Sequence, residues 1–444
     1  MQRSPGYVSL LFVFVAASAP AQTFTTLVNF NSTVNGGAPT APLAQGSDGR
    51  FYGATANGGS GYSGTIFAMT TEGALTTIYS FAEEEFGVRS PRSGLVLATN
   101  GEFYGTTNAG GDYLAGTIFE IDPAGLLSEI YSFCPEAGCD DGLDGGPVLV
   151  QAANLKLYGT SQTAGGYGTI FEISVSGAFR TLTSAQPSGE LSSMIQAANG
   201  DLYGTDLGGI FKVTLQGTFS SVYTFTGASP CGGVVQAANG DFYGTTGPGS
   251  PGSSGAIFKL APSGTLTFLH RFDSADPNPC GLILATDGNF YGTTSPMGPY
   301  GYGTVFKISP AGAFSTLHTF DLTDGAYPGA LVQGTDGNLY GTTFEGGTSG
   351  GGTIFTISTG LAPFVKTLPT MGEVGESVTI LGYNLAGATS VTFNGTPASF
   401  TVNPTGTSIT TTVPAGATTG TVQVVAPGST LSSNIVFRVG SLPY

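Results

Sequence analysis

Short runs of β-branched and aromatic residues recur along residues 23–359, separated by turn residues. In the sixth recurrence the four runs are GLILAT, NFYGTT, GTVFKIS and FSTLHTF. Runs of this length and composition, bounded by Gly, Pro, Asn and Asp, are typical of β-strands. Because helix signals are nearly absent, the pattern predicts an all-β chain built from units of four strands.

A Tyr-Gly pair marks the second strand of each unit and gives the period. The pairs are spaced 52, 54, 45, 40, 48 and 49 residues apart, at Tyr52, Tyr104, Tyr158, Tyr203, Tyr243, Tyr291 and Tyr340. A period of about 40–50 residues with several strands per unit is typical of propeller blades. We interpret the Tyr as a packing residue whose hydroxyl needs a partner. The Gly indicates close approach of a neighbouring group.

The turns and the ends of the repeat region predict how the structure closes. Asp-Gly or Asn-Gly joins the first two strands in six units, with Asn154-Leu155 in the third, and such dipeptides favour tight hairpins. The last unit ends at GTIFTIS (352–358) without a fourth strand, whereas TFTTLVNF (23–30) is similar to fourth strands such as LLSEIYSF (126–133). We therefore predict a seven-bladed β-propeller over residues 22–359, closed by the N-terminal strand, which hides two sheet edges.

The repeat unit also carries a family resemblance. DGNFYGTT…GTVFKISPAGAFSTLHTF closely resembles the GloVer (Gloeobacter/Verrucomicrobia-type) tandem repeats of exported bacterial proteins, over residues 23 to about 359. The resemblance implies export, often with a separate C-terminal module, and brings no established activity. The fourth copy, DLYGTDLGGIF, has 5 residues from Tyr to Gly where most copies have 12, which argues against a sevenfold-symmetric surface.

The pattern changes after residue 361. Residues 362–441 contain GESVTILGYNL, VTFNGTPASFTV and SNIVFRV, whose alternating apolar positions predict a small immunoglobulin-like β-sandwich. This segment resembles the IPT/TIG family, which implies a spacer or binding module at the cell surface or outside the cell. Its only basic residues are Lys366 and Arg438, so the DNA-binding role of some family members is not expected.

The first 21 residues have the pattern of an export signal. Arg3 supplies positive charge, VSLLFVFVAA is the apolar stretch, and Ala19 and Ala21 provide the small residues before a cleavage point. The apolar stretch is too short to span a bilayer as a helix, and no later stretch is long enough. We predict residues 1–21 as a signal peptide and a secreted or cell-surface protein; a buried strand is the alternative.

Export permits disulfides, and the chain has four cysteines. Cys134 and Cys139 lie in CPEAGC with no His nearby, which favours a local disulfide over a metal site. Cys231 and Cys280 occupy matching points of neighbouring repeats. A bond between them depends on the geometry of the sheets.

Composition and motifs weigh against nucleic-acid binding and catalysis. The net charge is −16 with only 12 Lys and Arg, whereas phosphate binding needs concentrated positive charge. The sequence GTSGG around Ser349 lacks the strand–turn–helix setting that the nucleophile motif requires. His270 and His318 stand where other repeats have a Tyr in the fourth strand, which indicates that they are packing residues. A calcium candidate or a plain acidic turn is formed by Asp140, Asp141 and Asp144. We predict no catalytic residue and no cofactor.

Long loops are predicted on one face of the propeller, where binding residues commonly lie. Five tyrosines decorate these loops: Tyr62, Tyr113, Tyr167, Tyr300 and Tyr302. Aromatic planes with few charges can stack on sugar rings, so we predict a non-catalytic protein that binds carbohydrate, another extracellular polymer or a protein. The alternatives are loop-capping tyrosines, a polysaccharide-active propeller enzyme (hydrolase or lyase) and a structural envelope component.

Overall fold

The computed structural model describes residues 22–39, 41–82, 89–91, 93–136, 138–162, 168–183, 191–249, 254–273, 278–295 and 301–441. Within these residues all regular elements are β-strands, as the hydrophobic pattern predicts. The described part of the chain accordingly contains no helix that could cross a membrane.

Seven antiparallel sheets follow one another along the repeat region, and we number them sheet 1 to sheet 7. The first strand, β1 (Thr23–Asn29), belongs to sheet 7. Sheet 1 contains β2 (Ala44–Gln45), β3 (Phe51–Thr55), β4 (Thr65–Met69) and β5 (Leu75–Ser80). Sheet 2 contains β6 (Arg89–Pro91), β7 (Val96–Leu97), β8 (Phe103–Ala109), β9 (Thr117–Ile121) and β10 (Leu127–Ser132). Sheet 3 contains β11 (Leu143–Gln151), β12 (Leu157–Gln162), β13 (Gly168–Ile173) and β14 (Phe179–Thr183).

The later sheets repeat this order. Sheet 4 contains β15 (Ser193–Gln196), β16 (Leu202–Thr205), β17 (Gly209–Val213) and β18 (Phe219–Thr224). Sheet 5 contains β19 (Pro230–Gln236), β20 (Phe242–Thr246), β21 (Ala256–Leu260) and β22 (Leu266–Arg271). Sheet 6 contains β23 (Pro279–Leu284), β24 (Phe290–Thr294), β25 (Thr304–Ile308) and β26 (Phe314–Thr319). Sheet 7 contains β27 (Ala326–Gln333), β28 (Leu339–Glu345), β29 (Thr353–Ser358) and β1, which pairs with β29.

The Gly of each Tyr-Gly pair makes room for an aromatic ring. In every sheet this Gly pairs across strands with the Phe of the third strand, for example Gly159 with Phe171. A Cβ added at Gly159 would lie 2.3 Å from Phe171 Cζ, and the other six glycines are equally crowded. The Phe ring therefore lies over the strand that carries the Gly, and any larger residue would displace it.

The Tyr of the pair is a packing residue whose hydroxyl is satisfied by the hairpin turn four residues earlier. Tyr52 Oη donates to Asp48 Oδ2 at 2.8 Å, and Tyr340 Oη donates to Asp336 Oδ2 at 2.7 Å. Where the turn carries Asn, the direction reverses, and Asn100 Nδ2 donates to Tyr104 Oη at 2.8 Å. Burial raises the pKa of Tyr52, Tyr104 and Tyr340, so these hydroxyls stay protonated.

Four junctions between neighbouring sheets share one aromatic contact, and at the other three the Tyr shares a core cluster with Leu157, Leu202 or Leu339. The Tyr ring of one sheet lies against the Phe that precedes the Tyr-Gly pair of the next: ring centroids are 4.1 Å apart for Tyr52 and Phe103, and for Tyr243 and Phe290. Sheet 7 makes this contact with sheet 1, since Tyr340 lies 4.2 Å from Phe51. The first and last sheets are therefore packed together like interior neighbours.

A glutamine at the end of the first strand adds a polar link between sheets. Its side-chain oxygen accepts the N–H of the hairpin turn of the preceding sheet: Thr99 N–H donates to Gln151 Oε1 at 2.9 Å. The N–H of Thr335 in sheet 7 donates to Gln45 Oε1 of sheet 1 at 3.0 Å. These links lie among the tight turns and include the junction between the first and last sheets.

The C-terminal unit, residues 364–441, consists of two four-stranded antiparallel sheets and one short parallel pair. Its strands are β30 (Lys366–Leu368), β31 (Met371–Gly372), β32 (Ser377–Leu381), β33 (Ser390–Phe393), β34 (Thr396–Ala398), β35 (Phe400–Val402), β36 (Ser408–Thr412), β37 (Val422–Ala426), β38 (Ser429–Ser432) and β39 (Arg438–Val439). One sheet has the order β30-β32-β36-β35 and the other β34-β33-β37-β38. Buried Ile380 and Ile409 from the first sheet and Phe393 and Val424 from the second share one core.

The C-terminal unit contacts the tight turns of three sheets. Lys366 Nζ donates to the Gln333 carbonyl at 2.6 Å, in sheet 7. Thr407 Oγ1 donates to the Ser47 carbonyl of sheet 1 at 2.7 Å, and Arg438 donates to the Ala198 carbonyl of sheet 4. The unit thus lies against the face of the repeat region that carries the short turns, and both of its basic residues take part in this contact.

We expect Gly159→Ala to lower the free energy of unfolding by about 1–3 kcal/mol, the usual cost of overpacking a core. The new methyl group would overlap the Phe171 ring. Urea unfolding measures the change. Gly247→Ala is the matched control, because its added Cβ meets no atom closer than 3.4 Å. Equal stability of the two variants would contradict the proposed role of Gly159.

The contact of Lys366 with the turns predicts a pH dependence. Burial lowers the pKa of the Lys366 ammonium to about 8 from 10.5, and Asp336 partly offsets the lowering. Between these values the unfolded chain holds a proton that the folded chain has released, so the contribution of Lys366 to stability rises with pH. The slope is at most about 1.4 kcal/mol per pH unit and smaller here, since part of the side chain remains accessible.

The difference in unfolding free energy between the wild type and Lys366→Met, followed from about pH 7.5 to pH 10, isolates this slope from other titrating groups. We expect the wild type to gain stability relative to the variant as the pH rises. Parallel pH profiles would show that the Lys366 ammonium is not enclosed by the interface.

Candidate functional site

Three of the predicted binding tyrosines lie exposed on loops between second and third strands. Tyr62 follows β3, Tyr113 follows β8 and Tyr302 follows β24. Their exposed fractions are 70%, 50% and 37%. Tyr167 and Tyr300 lie outside the described residues. The three described tyrosines therefore present aromatic surface at the ends of the sheets opposite to the tight turns, a surface that we call the long-loop face.

The backbone at Tyr62 is held in a conformation that favours glycine. Its φ is 61°, and the equivalent Leu114 of sheet 2 has a φ of 58°. In sheet 7 the equivalent residue is Gly350, with a φ of 74°. The two turns are equivalent because the Tyr62 N–H donates to the Gly59 carbonyl and the Gly350 N–H donates to the Gly347 carbonyl, each at 3.2 Å. A large exposed side chain thus occupies a strained position that needs none for folding.

The acidic turn with Asp140, Asp141 and Asp144 is part of the connection between sheets 2 and 3. The Asp141 carboxylate accepts hydrogen bonds from Tyr131 Oη at 2.8 Å and from the Cys134 N–H at 3.0 Å. Asp140 is exposed, and the Asp144 N–H donates to the Ala115 carbonyl at 2.7 Å. Nowhere in the described ranges do three or more His, Cys, Asp or Glu residues gather to hold a metal.

Both cysteine pairs are joined as disulfides. Cys134 and Cys139 close the short loop beside Asp141. Cys231 on β19 and Cys280 on β23 join the first strands of sheets 5 and 6, with Cα atoms 4.8 Å apart. The second bond settles what the sequence left open, because matching points of the two repeats do lie side by side.

The two histidines pack against phenylalanines of the next sheet, in agreement with their interpretation as packing residues. His270 stacks on Phe314 with centroids 4.0 Å apart, and His318 stacks on Phe24 of β1 at 3.6 Å. His318 Nε2 also contacts Asp324 Oδ2 at 2.8 Å.

A cavity of about 610 Å³ lies where the first strands of all seven sheets meet. Its lining comes from these first strands and the residues just before them, together with Tyr291 and Ser295 of sheet 6. It includes Pro42 of sheet 1, Leu95 of sheet 2, Leu149 of sheet 3, Ile195 of sheet 4, Val235 of sheet 5, Ile283 of sheet 6 and Ala330 of sheet 7. The Cys231–Cys280 disulfide forms part of the wall.

The short loop of the fourth repeat leaves a smaller pocket beside this cavity. The pocket has a volume of about 190 Å³ and is lined in part by Asp206 and Leu207, and it shares Pro147 and Ser192 with the cavity. Asp206 Oδ1 accepts the N–H groups of Gly208 and Gly209, which fixes the tight loop. The shortened loop of the fourth repeat thus leaves this small pocket at the rim of the cavity, and we call the pocket the notch.

The cavity and the interface with the C-terminal unit are the features that sequence reasoning missed. Small residues in or just before the first strands, such as Gly94, Gly233, Gly281 and Gly329, were a visible signal for the cavity. From the sequence, Lys366 and Arg438 stand out only as the two basic residues of the C-terminal unit. Their contacts with carbonyl groups depend on how two separately folded regions meet, which no local pattern encodes.

Tyr62→Gly tests whether Tyr62 caps its loop. We expect the variant to be more stable by about 0.5–1 kcal/mol, because relief of the left-handed backbone, about 1–2 kcal/mol, exceeds the added entropy of an unfolded glycine. Thermal and urea unfolding measure this change. The reverse substitution in the matched turn, Gly350→Tyr, should destabilise by a similar amount. A loss of stability in Tyr62→Gly would instead show that the side chain supports the loop.

Comparison with solved structures shows an all-β, propeller-like fold. A structure of streptogramin B lyase is 14% identical, with a TM-score of 0.54 over 76% of this chain and 97% of that chain. A B. thetaiotaomicron protein described as the extracellular domain of a hybrid two component system is 14% identical, with a TM-score of 0.53 over 89% of this chain. This chain spans only 52% of that protein. At such identities the likeness concerns the fold alone.

No curated protein matches the chain. Its repeats, however, match a described sequence family along almost their whole length. Five overlapping segments match the Gloeobacter/Verrucomicrobia repeat: residues 13–142, 74–231, 141–282, 230–377 and 277–426. The chain therefore belongs to the family of Gloeobacter/Verrucomicrobia repeat proteins.

Proposed function

We propose that the chain is an exported seven-bladed β-propeller, closed by its N-terminal strand and followed by an IPT/TIG immunoglobulin-like domain. Closure is supported by the pairing of β1 with β29. It is also supported by the contacts of Tyr340 with Phe51 and of Thr335 with Gln45, which repeat those between interior sheets. The sandwich is supported by the single core that the two sheets of the C-terminal unit share.

Its function is the non-catalytic binding of an extracellular polymer, with carbohydrate as the leading class, through the long-loop face. The observation that carries this proposal is Tyr62, a mostly exposed aromatic residue on a strained backbone where an equivalent turn has glycine. Strain that folding does not require is most often retained for function. Tyr113 and Tyr302 add exposed aromatic planes on the same face.

Location outside the cytoplasm is supported by chemistry as well as by the predicted signal peptide, which lies outside the described residues. Two disulfides use all four cysteines of the chain. Disulfides form and persist in oxidising compartments and are rare in the cytosol. A secreted or cell-surface protein fits both observations, and an extracellular polymer is then the accessible partner.

The experiment is a glycan-array binding screen on the exported chain, with the release of reducing ends assayed on the same polymers. We expect binding without release. Replacement of Tyr62, Tyr113 and Tyr302 together by Ala should weaken binding at least tenfold, because exposed tyrosines commonly act as binding hot spots, while stability changes little. Tyr383→Ala is the matched control, since this exposed tyrosine lies on the C-terminal unit.

Other outcomes assign the function elsewhere. Release of new reducing ends would replace this proposal with a polysaccharide-active enzyme and direct attention to the acidic residues of the loops. Loss of binding in Tyr383→Ala but not in the triple variant would place the site on the C-terminal unit. An absence of glycan binding would favour a protein partner or a structural role in the envelope.

A further inference from the structure

The cavity at the centre of the repeat region is lined by uncharged residues. None of the described residues that line it carries a charge. The wall consists of aliphatic side chains, glycines, prolines and the Cys231–Cys280 disulfide, with a few neutral polar groups such as Ser193, Asn278 and Ser295. A charged molecule would lose its hydration there without gaining a partner, whereas a neutral molecule would not.

The residues around the cavity keep it open. The rest of each sheet is filled by large rings, such as Phe306 and Phe355, which are fully buried. The first strands instead bring small residues to the centre, and a Cβ added at Gly281 would meet no atom within 4 Å. The disulfide between Cys231 and Cys280 fixes two adjacent walls. The volume of about 610 Å³ falls within the range of about 300–1,000 Å³ found for small-molecule sites.

The two ends of the cavity differ in their surroundings. Its lining ends before the hairpin turns, while the C-terminal unit contacts those turns through Lys366, Thr407 and Arg438. The long-loop face lies at the other end of the same strands, where the short loop of the fourth repeat, with the exposed Leu207, forms the notch in the rim. A small molecule would therefore enter from the long-loop face.

From these features we propose that the central cavity is a binding site for one uncharged, predominantly apolar small molecule. This site is distinct from the exposed tyrosines, and it does not depend on polymer binding. The aliphatic wall provides the apolar contacts, and the neutral polar groups orient the ligand. Such a site gives the protein a second binding function at the centre of the long-loop face.

The test compares two probes of nearly the same shape on the full exported chain. N-Phenyl-1-naphthylamine is neutral, and 8-anilinonaphthalene-1-sulfonate adds one negative charge. Both fluoresce strongly only in apolar surroundings. We expect the neutral probe to bind once per chain and the anionic probe to bind at least about tenfold more weakly, because the lining offers no cation to pair with it.

Two substitutions fill the cavity from different sheets. Ala330→Trp in sheet 7 and Ser295→Trp in sheet 6 should each lower the affinity for the neutral probe at least about tenfold, since both residues line the cavity. Ala124→Trp, at an exposed turn of sheet 2, is the control and should bind the probe like the wild type. Thermal unfolding identifies which variants are folded. If Ala330→Trp does not fold, Ser295→Trp tests the cavity in its place.

The proposal is overturned if the wild type gives no saturable binding of the neutral probe, or if folded Ala330→Trp or Ser295→Trp binds it undiminished. Equal affinity for both probes would overturn the neutral ligand class. The triple tyrosine variant should keep full binding of the neutral probe. Loss of neutral-probe binding in the triple tyrosine variant would show that the probe binds the long-loop tyrosines. The cavity and the tyrosines are therefore tested separately.

Discussion

The contact between the glycine of the second strand and the phenylalanine of the third holds each sheet in register, and the rest of the repeat region depends on it. Because the Gly has no side chain, the tip of the Phe ring fits against the neighbouring strand, and the adjacent Tyr is free to reach the next sheet. The two residues of the Tyr-Gly pair thus act in different directions, one within the sheet and one between sheets. This division explains why the pair recurs together rather than as two independent positions.

Local pattern was enough to predict this architecture at the level of strands and sheets. The four runs per unit, the Asp-Gly and Asn-Gly turns and the packing role of Tyr are all properties of short segments, in which side-chain period and turn chemistry dominate. The partner of the tyrosine hydroxyl could also have been found, since an Asp or Asn stands four residues before each Tyr. The glutamine links were visible as Gln45, Gln151, Gln196, Gln236 and Gln333, but only the fold shows that they reach the preceding sheet.

The candidate sites were less predictable, for a physical reason. The exposed tyrosines could be named from loop composition, but their meaning rests on the backbone angle of Tyr62, which has no sequence signature of its own. The cavity exists because residues about 50 positions apart converge, and its neutrality is a property of the assembled wall. Likewise, the pKa of Lys366 depends on its burial against the turns of sheet 7. Each of these features arises from tertiary convergence rather than from a motif.

The pairing of β1 with β29 has a consequence for how the chain is made. The strand Thr23–Asn29 is synthesised before all the sheets, yet its partner, Thr353–Ser358, is the last strand of the repeat region. Contacts so far apart in sequence form slowly, because the intervening chain must first be ordered. Until then β1 lacks its strand partner and presents an unpaired edge. The pairing of β1 with β29 therefore waits until the last strand of the repeat region has been made, and pairing of β1 with another chain before that point is the hazard of this arrangement.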